Sequence, residues 1–261
     1  MEPIVIPLQS LLSATVALWA FSAFGEPSSE TKKNSLWRNL LTEQADSVTW
    51  VSTTVRIEIS AGGRSFPPSE RKLEALGTVL GEDGLMVLSL NEIDPSDTIL
   101  SRMRTPGDVN VNYTEVLILL PDGTEIPANF LLKDEDLDLA FIRPIQDSPD
   151  SIKTNFKKVT FRPNAGTSIQ VLDEVVSLGR LGSNLYRKST LQRGWVNAVI
   201  DKPRDYYVIE NVTPGTPVFD QSGQWVGITA FRKEGGKPSG VITVPAKDVM
   251  DIAQQVRQRS D

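Results

Sequence analysis

The chain has 261 residues, of which 39% are hydrophobic and 23% are charged, so it can form a sizeable core and is not expected to be disordered throughout. Its formal net charge of −6 disfavours a broad nucleic-acid-binding surface, because phosphate binding needs a positive face. The sequence contains no Cys and no His, which excludes disulfides, thiolate metal sites, a cysteine nucleophile and any Ser-His-Asp triad within this chain.

The N-terminus carries an uncharged, mostly apolar stretch at residues 4–24. Ala23 and Gly25 are small residues at its C-terminal end, so residues 1–25 are predicted to form a signal peptide or a membrane anchor. The protein is then expected to be exported (periplasmic or extracellular) or membrane-anchored, with membrane contact through residues 4–24. Glu2 before the stretch and Lys32 after it weigh against export, so a cytoplasmic location stays open.

Residues 26–47 are predicted to contain a polar linker followed by a short helix. Ser35 is the expected N-cap of that helix, and Leu36, Trp37, Leu40 and Leu41 would share one face.

Period-two alternation begins at Val48 and predicts a first β lobe over residues 48–145. Two hairpin turns are expected in this lobe, at Asp83–Gly84 and Asp122–Gly123, because Gly accepts the positive φ that tight turns require. A polar break at residues 146–156 is the expected linker to a second lobe.

A second β lobe is predicted over residues 157–245, with strand-like runs that include Lys158–Phe161 and a hairpin turn at Ser222–Gly223. Helical spacing then predicts a C-terminal helix over residues 246–261, with an apolar face formed by Ala246, Val249, Met250, Ala253 and Val256. Many short strands with regular turn signals indicate either sandwiches or barrels.

Five segments, in order along the chain, resemble the HtrA/Deg-like branch of the trypsin-like (chymotrypsin-fold) serine protease family. They are residues 77–91 (GTVLGEDGLMVLSLN), 133–142 (KDEDLDLAFI), 175–180 (VVSLGR), 211–228 (NVTPGTPVFDQSGQWVGI) and 240–245 (GVITVP). The resemblance implies an all-β fold of two antiparallel β-barrels, the trypsin-like double barrel, with a short N-terminal helix and a C-terminal helix.

The resemblance also places the family's catalytic triad on this sequence. Its His falls on Asn91, its acidic residue on Asp138 and its nucleophilic Ser on Pro214. An amide cannot accept a proton from a hydroxyl at neutral pH, and Pro has no hydroxyl. The retained Asp138 would have no imidazole to orient, and a buried, hydrogen-bonded carboxylate at the start of a strand is the favoured interpretation of this residue.

The loop that forms the family's oxyanion hole is altered as well. Its first Gly falls on Val212, and Pro214 lacks the second backbone N–H donor. Gly215 is retained, whereas the motif's last Gly becomes Thr216. Thr213 and Thr216 could be nominated as replacement nucleophiles, but ordinary turn threonines are favoured because no base accompanies them.

The sequence contains candidate residues for two other kinds of site. A Ser-Lys dyad needs no His, but nothing in the spacing singles out Lys133, Lys157 or Lys202. The acidic run Asp134–Asp136 lacks the Gly and the distal Glu of an EF-hand loop, so a solvated turn is favoured. Neither a metal nor a cofactor is therefore expected.

The sequence thus predicts a catalytically inactive serine protease homologue, a pseudoprotease that binds or scaffolds an extended peptide or protein. In the family, the strand after the nucleophile motif pairs with substrate, and this strand corresponds to Val226, Gly227, Ile228, Thr229, Ala230 and Phe231. One alternative is a serine-type endopeptidase-like hydrolase with a non-standard nucleophile and base. Another is an assembly subunit beside an active protease paralogue.

Overall fold

A computed structural model describes residues 29–146, 154–162, 169–234 and 237–260. The chain divides into two units, Met1–Ser35 and Leu36–Asp261. Helix α1 (Ser29–Gln44) contains all described residues of the first unit and continues into the second. Among the described residues, no helix is both long and apolar enough to cross a membrane. The predicted signal or anchor segment at residues 4–24 lies outside the described residues.

The start of α1 differs from the predicted one. Ser35 lies inside the helix rather than at its N-cap, and its hydroxyl donates to the backbone carbonyl of Lys32 at 2.7 Å. A Ser inside a helix can bond to a carbonyl of the preceding turn, so its cap preference does not fix the boundary. Of the four residues predicted to share an apolar face, Trp37 and Leu40 are buried and Leu41 is partly buried, whereas Leu36 is 53% exposed and does not belong to that face.

The first β-barrel contains seven strands. They are β1 (Val48–Ala61), β2 (Arg64–Ser65), β3 (Ser69–Val79), β4 (Met86–Ser89), β5 (Gly107–Leu119), β6 (Glu125–Asp134) and β7 (Leu139–Pro144). Their order is β2-β1-β3-β4-β7-β6-β5, and pairing of β1 with β5 closes a six-stranded antiparallel barrel to which β2 is a short addition. Two short helices, α2 (Leu90–Ile93) and α3 (Ser96–Arg102), lie between β4 and β5.

The second β-barrel contains six antiparallel strands. They are β8 (Glu174–Arg180), β9 (Ser189–Ile200), β10 (Tyr206–Ile209), β11 (Pro217–Phe219), β12 (Trp225–Glu234) and β13 (Lys237–Pro245). The ring is closed in the order β10-β13-β12-β11-β8-β9. Helix α4 (Ala246–Ser260) follows, and its predicted apolar face is confirmed, since Ala246, Val249, Ala253 and Val256 are buried.

Two short 3-10 turns complete the elements. They are Ala45–Ser47 before β1 and Ser183–Leu185 between β8 and β9. The predicted hairpins at Gly84, Gly123 and Gly223 are confirmed, because each Gly has a positive φ of 77°, 91° or 76°, respectively, between paired strands or their ends. The prediction of a strand at Lys158–Phe161 is wrong, since these residues pair with no strand in the described chain. The Val159 N–H donates to the Val79 carbonyl at 2.9 Å, and the Thr160 N–H donates to the Gln44 side chain at 3.2 Å.

Three buried clusters hold the barrels together. One fills the first barrel around Met86, Ile118 and Ile142, and another fills the second barrel around Val175 and Val218. The third cluster joins residues of both barrels and α4, including Phe141, Phe219, Trp225 and Val249. Asn91, Asp138 and Pro214 lie near this junction, where side chains of the two barrels and of α4 share one core.

Candidate functional site

Asp138 is the centre of the candidate site. It is fully buried and lies directly before β7, with a positive φ of 58° that short polar residues tolerate better than others. Its Oδ2 accepts hydrogen bonds from the Ser89 hydroxyl at 2.5 Å and from the Phe231 N–H at 2.8 Å, and its Oδ1 accepts one from the Asn91 N–H at 2.7 Å. The carboxylate therefore connects β4, α2 and β12, which belong to different barrels.

Burial dominates the electrostatics of this carboxylate. Desolvation raises the pKa of Asp138, while hydrogen bonds from Ser89, Phe231 and Asn91 and the charge of Lys233 act to lower it. Burial also raises the pKa of Glu92, and the charge of Asp138 raises it further. Lys233 is itself paired with Asp97 of α3 at 2.8 Å, so its charge is shared between two carboxylates.

Asn91 occupies the position that the resemblance assigns to the catalytic His. Its backbone N–H is used by Asp138, and its buried Oδ1 finds no hydrogen-bond donor within the described parts of the chain. A carboxamide in this environment can accept a hydrogen bond from a ligand, but it cannot act as a general base.

Pro214 lies in a tight turn formed by Thr213–Thr216. The Thr216 N–H donates to the Thr213 carbonyl at 3.2 Å, and Gly215 has a φ of +80°. A type II turn favours Pro at its second position and requires a positive φ at its third, which Gly supplies. Pro214 and Gly215 thus fit the backbone geometry of this turn.

Backbone donors of this turn are directed into the protein. The Gly215 N–H donates to the Thr229 carbonyl at 2.8 Å, and the Thr229 N–H donates to the Thr216 carbonyl at 3.0 Å. The Thr216 N–H also lies 3.1 Å from the Thr229 hydroxyl. Pro214 has no N–H, and Val212 packs partly against the core of the second barrel. An oxyanion would need two converging N–H groups, which this arrangement of Pro214, Gly215 and Thr216 does not offer.

The threonine hydroxyls have structural partners too. Thr216 is buried, and its hydroxyl donates to the Thr213 carbonyl at 2.6 Å and lies 3.2 Å from the Thr229 hydroxyl. The Thr229 hydroxyl also donates to the Thr213 carbonyl. Thr213 itself is exposed. No basic side chain is among these hydrogen-bond partners, so the contacts are those of turn threonines.

The turn packs directly against the first barrel. A Cβ placed on Gly215 would lie 2.1 Å from the Leu76 carbonyl oxygen and 3.6 Å from the Ser89 nitrogen. The Thr78 hydroxyl donates to the Gly215 carbonyl at 3.1 Å. Since Ser89 also binds Asp138, the fold brings the segments of Asn91, Asp138 and Pro214 to one place at the barrel junction.

The strand predicted to receive a peptide is largely occupied by neighbouring strands. From Trp225 to Ile228 it pairs with β11, and from Gly227 to Glu234 it pairs with β13. Thr229 is bonded to the turn described above, and the Phe231 N–H is bonded to Asp138. Val226–Thr229 therefore is not an open edge, which corrects that part of the predicted peptide-binding edge, because barrel closure uses both sides of the strand.

The side chains nominated for other chemistry lie apart. Lys133 is 4.0 Å from the centre of the Tyr113 ring, Lys157 pairs with Asp46 at 3.3 Å, and Lys202 lies in an exposed segment after β9. The run Asp134–Asp136 leads into a turn, in which Asp134 accepts the Leu137 N–H at 2.9 Å. In the described ranges, no cluster of three or more acidic residues is arranged to hold a metal ion.

Several contributors to this site were not found from the sequence. Ser89 and the Phe231 N–H donate to Asp138 only after the barrels form, and the charge of Asp138 then acts on Glu92. The separations of these residues along the chain give no signal. The Thr213–Thr216 turn had a signal, because Pro followed by Gly is typical of a type II turn.

Comparison with known proteins places the chain in a family. The profile of the trypsin-like peptidase domain matches residues 77–228, which is more than half of the chain. The protein therefore belongs to the trypsin-like peptidase domain family, as its sequence predicted. No curated protein matches the chain significantly.

Solved structures of HtrA-type proteases share the fold. The chain matches the HtrA-type protease AlgW with a decapeptide at a TM-score of 0.54 and 16% identity, covering 85% of this chain and 67% of that chain. It matches an AlgW variant with a tripeptide at a TM-score of 0.53 and 16% identity, covering 84% of this chain and 63% of that one. The chain thus spans about two thirds of these proteins, and the similarity confirms the predicted double barrel.

Proposed function

We propose that this protein is a non-catalytic member of the trypsin-like peptidase family that binds an extended segment of a peptide or protein. The observation that carries the proposal is the Asp138 carboxylate, whose hydrogen bonds go to Ser89, Asn91 and Phe231 of its own chain. An acidic residue used in this way stabilises the barrel junction instead of orienting a base.

The chemistry of the neighbouring positions supports the same proposal. The chain has no His, and Asn91 and Pro214 stand where the family has its base and nucleophile. In serine proteases, loss of triad members lowers turnover by about 10⁶-fold. The residual rate in such variants depends on the oxyanion hole, whose donors are compromised here. Turnover by the family mechanism is therefore expected to be undetectable.

The binding half of the proposal rests on the partly buried continuation of β12 beyond Ala230. Beyond Thr229 the strand leaves β11 and runs past Asp138 toward α3, and Phe231 to Lys233 are only partly buried. We place the bound peptide along Phe231–Lys233, with the Asn91 carboxamide oxygen, which has no donor among the described residues, as a nearby acceptor. The solved structures of AlgW named above contain peptides, which supports peptide binding by this fold.

A direct test of inactivity compares the full chain with an active HtrA-type protease. Both are treated with a fluorophosphonate probe and with a quenched-fluorescent peptide library. We expect neither labelling nor cleavage by the folded chain. Labelling that disappears on mutation of one Ser or Thr would overturn the non-catalytic proposal and support the hydrolase alternative.

The binding site needs its own test. Peptides selected from a displayed random library are titrated against the wild type, Phe231→Ala and the control Trp195→Ala, which removes a half-exposed aromatic from β9. We expect about tenfold weaker binding for Phe231→Ala and no change for the control, since contact aromatics carry much of the binding energy. Equal affinities for all three proteins would refute the placement. Thr229→Pro is not a clean probe, because the Thr229 N–H is bonded inside the barrel.

Localisation and partnership are further parts of the proposal. The apolar stretch at residues 4–24 supports export or membrane anchoring. The proposed partner is an active protease paralogue. Fractionation of cells with N-terminal sequencing of the mature chain tests the first. Co-purification with an HtrA-type protease tests the second. Recovery of the intact chain from the cytosol, alone, would count against both.

A further inference from the structure

The first barrel has an unpaired strand edge along β5. This strand pairs with β1 along its whole length, from Gly107 to Leu119. On its other side it pairs with β6 only at Leu117–Leu119. Within the described chain, residues 107–116 therefore have a strand neighbour on one side and free backbone groups on the other.

The composition of this edge leaves it open to pairing. Proteins usually protect exposed edges with Lys, Pro or other charges, because an unpaired strand is a template for another strand. Residues 107–113 (GDVNVNY) contain no Lys, Arg or Pro and only one charge, on Asp108. The opposite edge of the same sheet, at Ser69–Leu73 of β3, carries Glu, Arg and Lys in succession. The sheet thus has one charged edge and one nearly uncharged edge.

The side chains of the uncharged edge alternate regularly. Asp108, Asn110 and Asn112 are exposed, whereas Val109 and Val111 are partly buried. Helix α3 packs on β5, and its Leu100 is 41% exposed. The strand can therefore accept a neighbour with the same alternation, and the neighbour would cover more of its valines.

We propose that this edge pairs with the same edge of a second copy, forming a twofold dimer with a continuous antiparallel sheet. Centred on Asn110, the pairing sets Val109 opposite Val111 and Asp108 opposite Asn112. Asn110 then lies opposite Asn110 of the second copy, and no two like charges lie opposite each other. A twofold interface requires such self-complementarity, and cross-strand pairs of this kind stabilise sheets. The dimer is independent of the proposed peptide site, which lies at the barrel junction.

Two lysine substitutions test the pairing and its register. Asn110→Lys would oppose two lysines across the twofold axis, whereas Asn112→Lys would set a lysine opposite the partner's aspartate. Within one chain, Asn110 lies opposite Glu58 and Asn112 lies opposite Arg56. A lysine is therefore favourable for folding at position 110 and unfavourable at position 112, which is the reverse of its effect on pairing. A loss of folding would therefore affect the second variant more than the first, and a loss of pairing only the first.

The measurement is the mass of the full chain by sedimentation at graded concentrations and physiological ionic strength. We expect the wild type and Asn112→Lys to move from 28.7 kDa toward twice that mass. The dissociation constant of Asn110→Lys should rise about tenfold. A wild type that stays monomeric at the highest concentration, or equal effects of the two substitutions, would overturn the proposal.

Engineered cysteines give a second, independent readout, because the natural chain has no Cys. Across the proposed axis the two Cα atoms at position 110 would be roughly 4.5–5.5 Å apart, within disulfide range. At position 112 they would be separated by about 13 Å, since each residue of offset adds about 3.3 Å. Under mild oxidation we expect covalent dimers of Asn110→Cys and none of Asn112→Cys. Cross-linking of the second variant alone, or of neither, would refute the proposed register and with it the dimer.

Discussion

Replacing Asp138 separates a structural role of this carboxylate from a catalytic one. In Asp138→Ala, the Ser89 hydroxyl and the N–H groups of Asn91 and Phe231 lose their acceptor. A buried donor left unsatisfied costs about 1–3 kcal/mol. Ala at a φ of 58° adds roughly 1 kcal/mol. Allowing for partial rescue by water, we expect a loss of about 3–6 kcal/mol in the free energy of unfolding.

Asp138→Asn is the milder companion change. Its amide oxygen still accepts hydrogen bonds, and Asn tolerates the left-handed backbone, but its NH₂ group faces a donor. We expect this variant to lose about 1–3 kcal/mol. Asp136→Ala is the matched control, since Asp136 is exposed in the same turn and its loss should change stability by less than about 0.5 kcal/mol.

The assay is urea denaturation followed by tryptophan fluorescence and by circular dichroism. The wild type and three variants are compared at their transition midpoints. If Asp138→Ala is as stable as Asp136→Ala, the three donors do not depend on the carboxylate and the reasoning fails. If it keeps its stability but loses a measurable peptidase activity, Asp138 is a catalytic residue and the proposed function fails as well.

Three further changes have directions set by the structure. Burial, and then the charge of Asp138, raise the pKa of Glu92 above 4.5 in the folded protein, so the wild type loses stability as pH rises from 4.5 through the folded pKa. Glu92→Gln removes this loss and should raise the Tm at neutral pH. Below pH 4.5 the Tm values of the two proteins should be equal. Gly215→Ala should lower the free energy of unfolding by about 2–4 kcal/mol, because Ala is strained at a φ of +80° and its Cβ would clash with the Leu76 carbonyl. An unchanged Tm in thermal unfolding would show that the turn relaxes to accommodate the Cβ. Burial acts to raise the pKa of Asp83, but its pairing with Arg257 lowers the pKa overall, so the ion pair stabilises the fold above pH 3.8 and this stabilisation is lost as pH falls through the folded pKa. A double-mutant cycle of Arg257→Met and Asp83→Asn should give a coupling free energy of about 0.5–1 kcal/mol at neutral pH and no coupling below the folded pKa.

Local signals predicted much of the fold. The turns at Gly84, Gly123 and Gly223 each contain a residue pair that favours positive φ, and all three connect the predicted strands. The apolar face of α4 followed from helical spacing. These features depend on a few neighbouring residues, which is why the sequence alone identified them.

Features that depend on tertiary contacts were predicted less well. The run Lys158–Phe161 alternates like a strand, but no strand of the described chain lies beside it. Its contacts with the first barrel include a hydrogen bond from the Val159 N–H to the Val79 carbonyl and an ion pair between Lys158 and Glu82. The stretch Val226–Thr229 was correctly predicted as a strand, but its occupancy by β11 and β13 follows from closure of the barrel. Periodicity identifies a strand without identifying its neighbours.

The site shows the same division between local and distant information. Pro214 and Gly215 specify their turn locally, whereas the donors to Asp138 come from residues 49 and 93 positions away for Ser89 and Phe231. The resemblance drew attention to Asp138, whereas the partners of its carboxylate are visible only in the structure.

Energetics connect these observations to the proposed function. Active sites often retain strained or unsatisfied groups, because the chemistry requires them. Here the turn around Pro214 has residues suited to its backbone, and the carboxylate of Asp138 has three donors from its own chain. The buried Asn91 Oδ1 is the exception, since it has no donor within the described chain. If a ligand N–H supplies that donor, Asn91→Ala should weaken peptide binding while leaving the stability of the free protein nearly unchanged; a large loss of stability with unchanged binding would assign this oxygen to the fold instead.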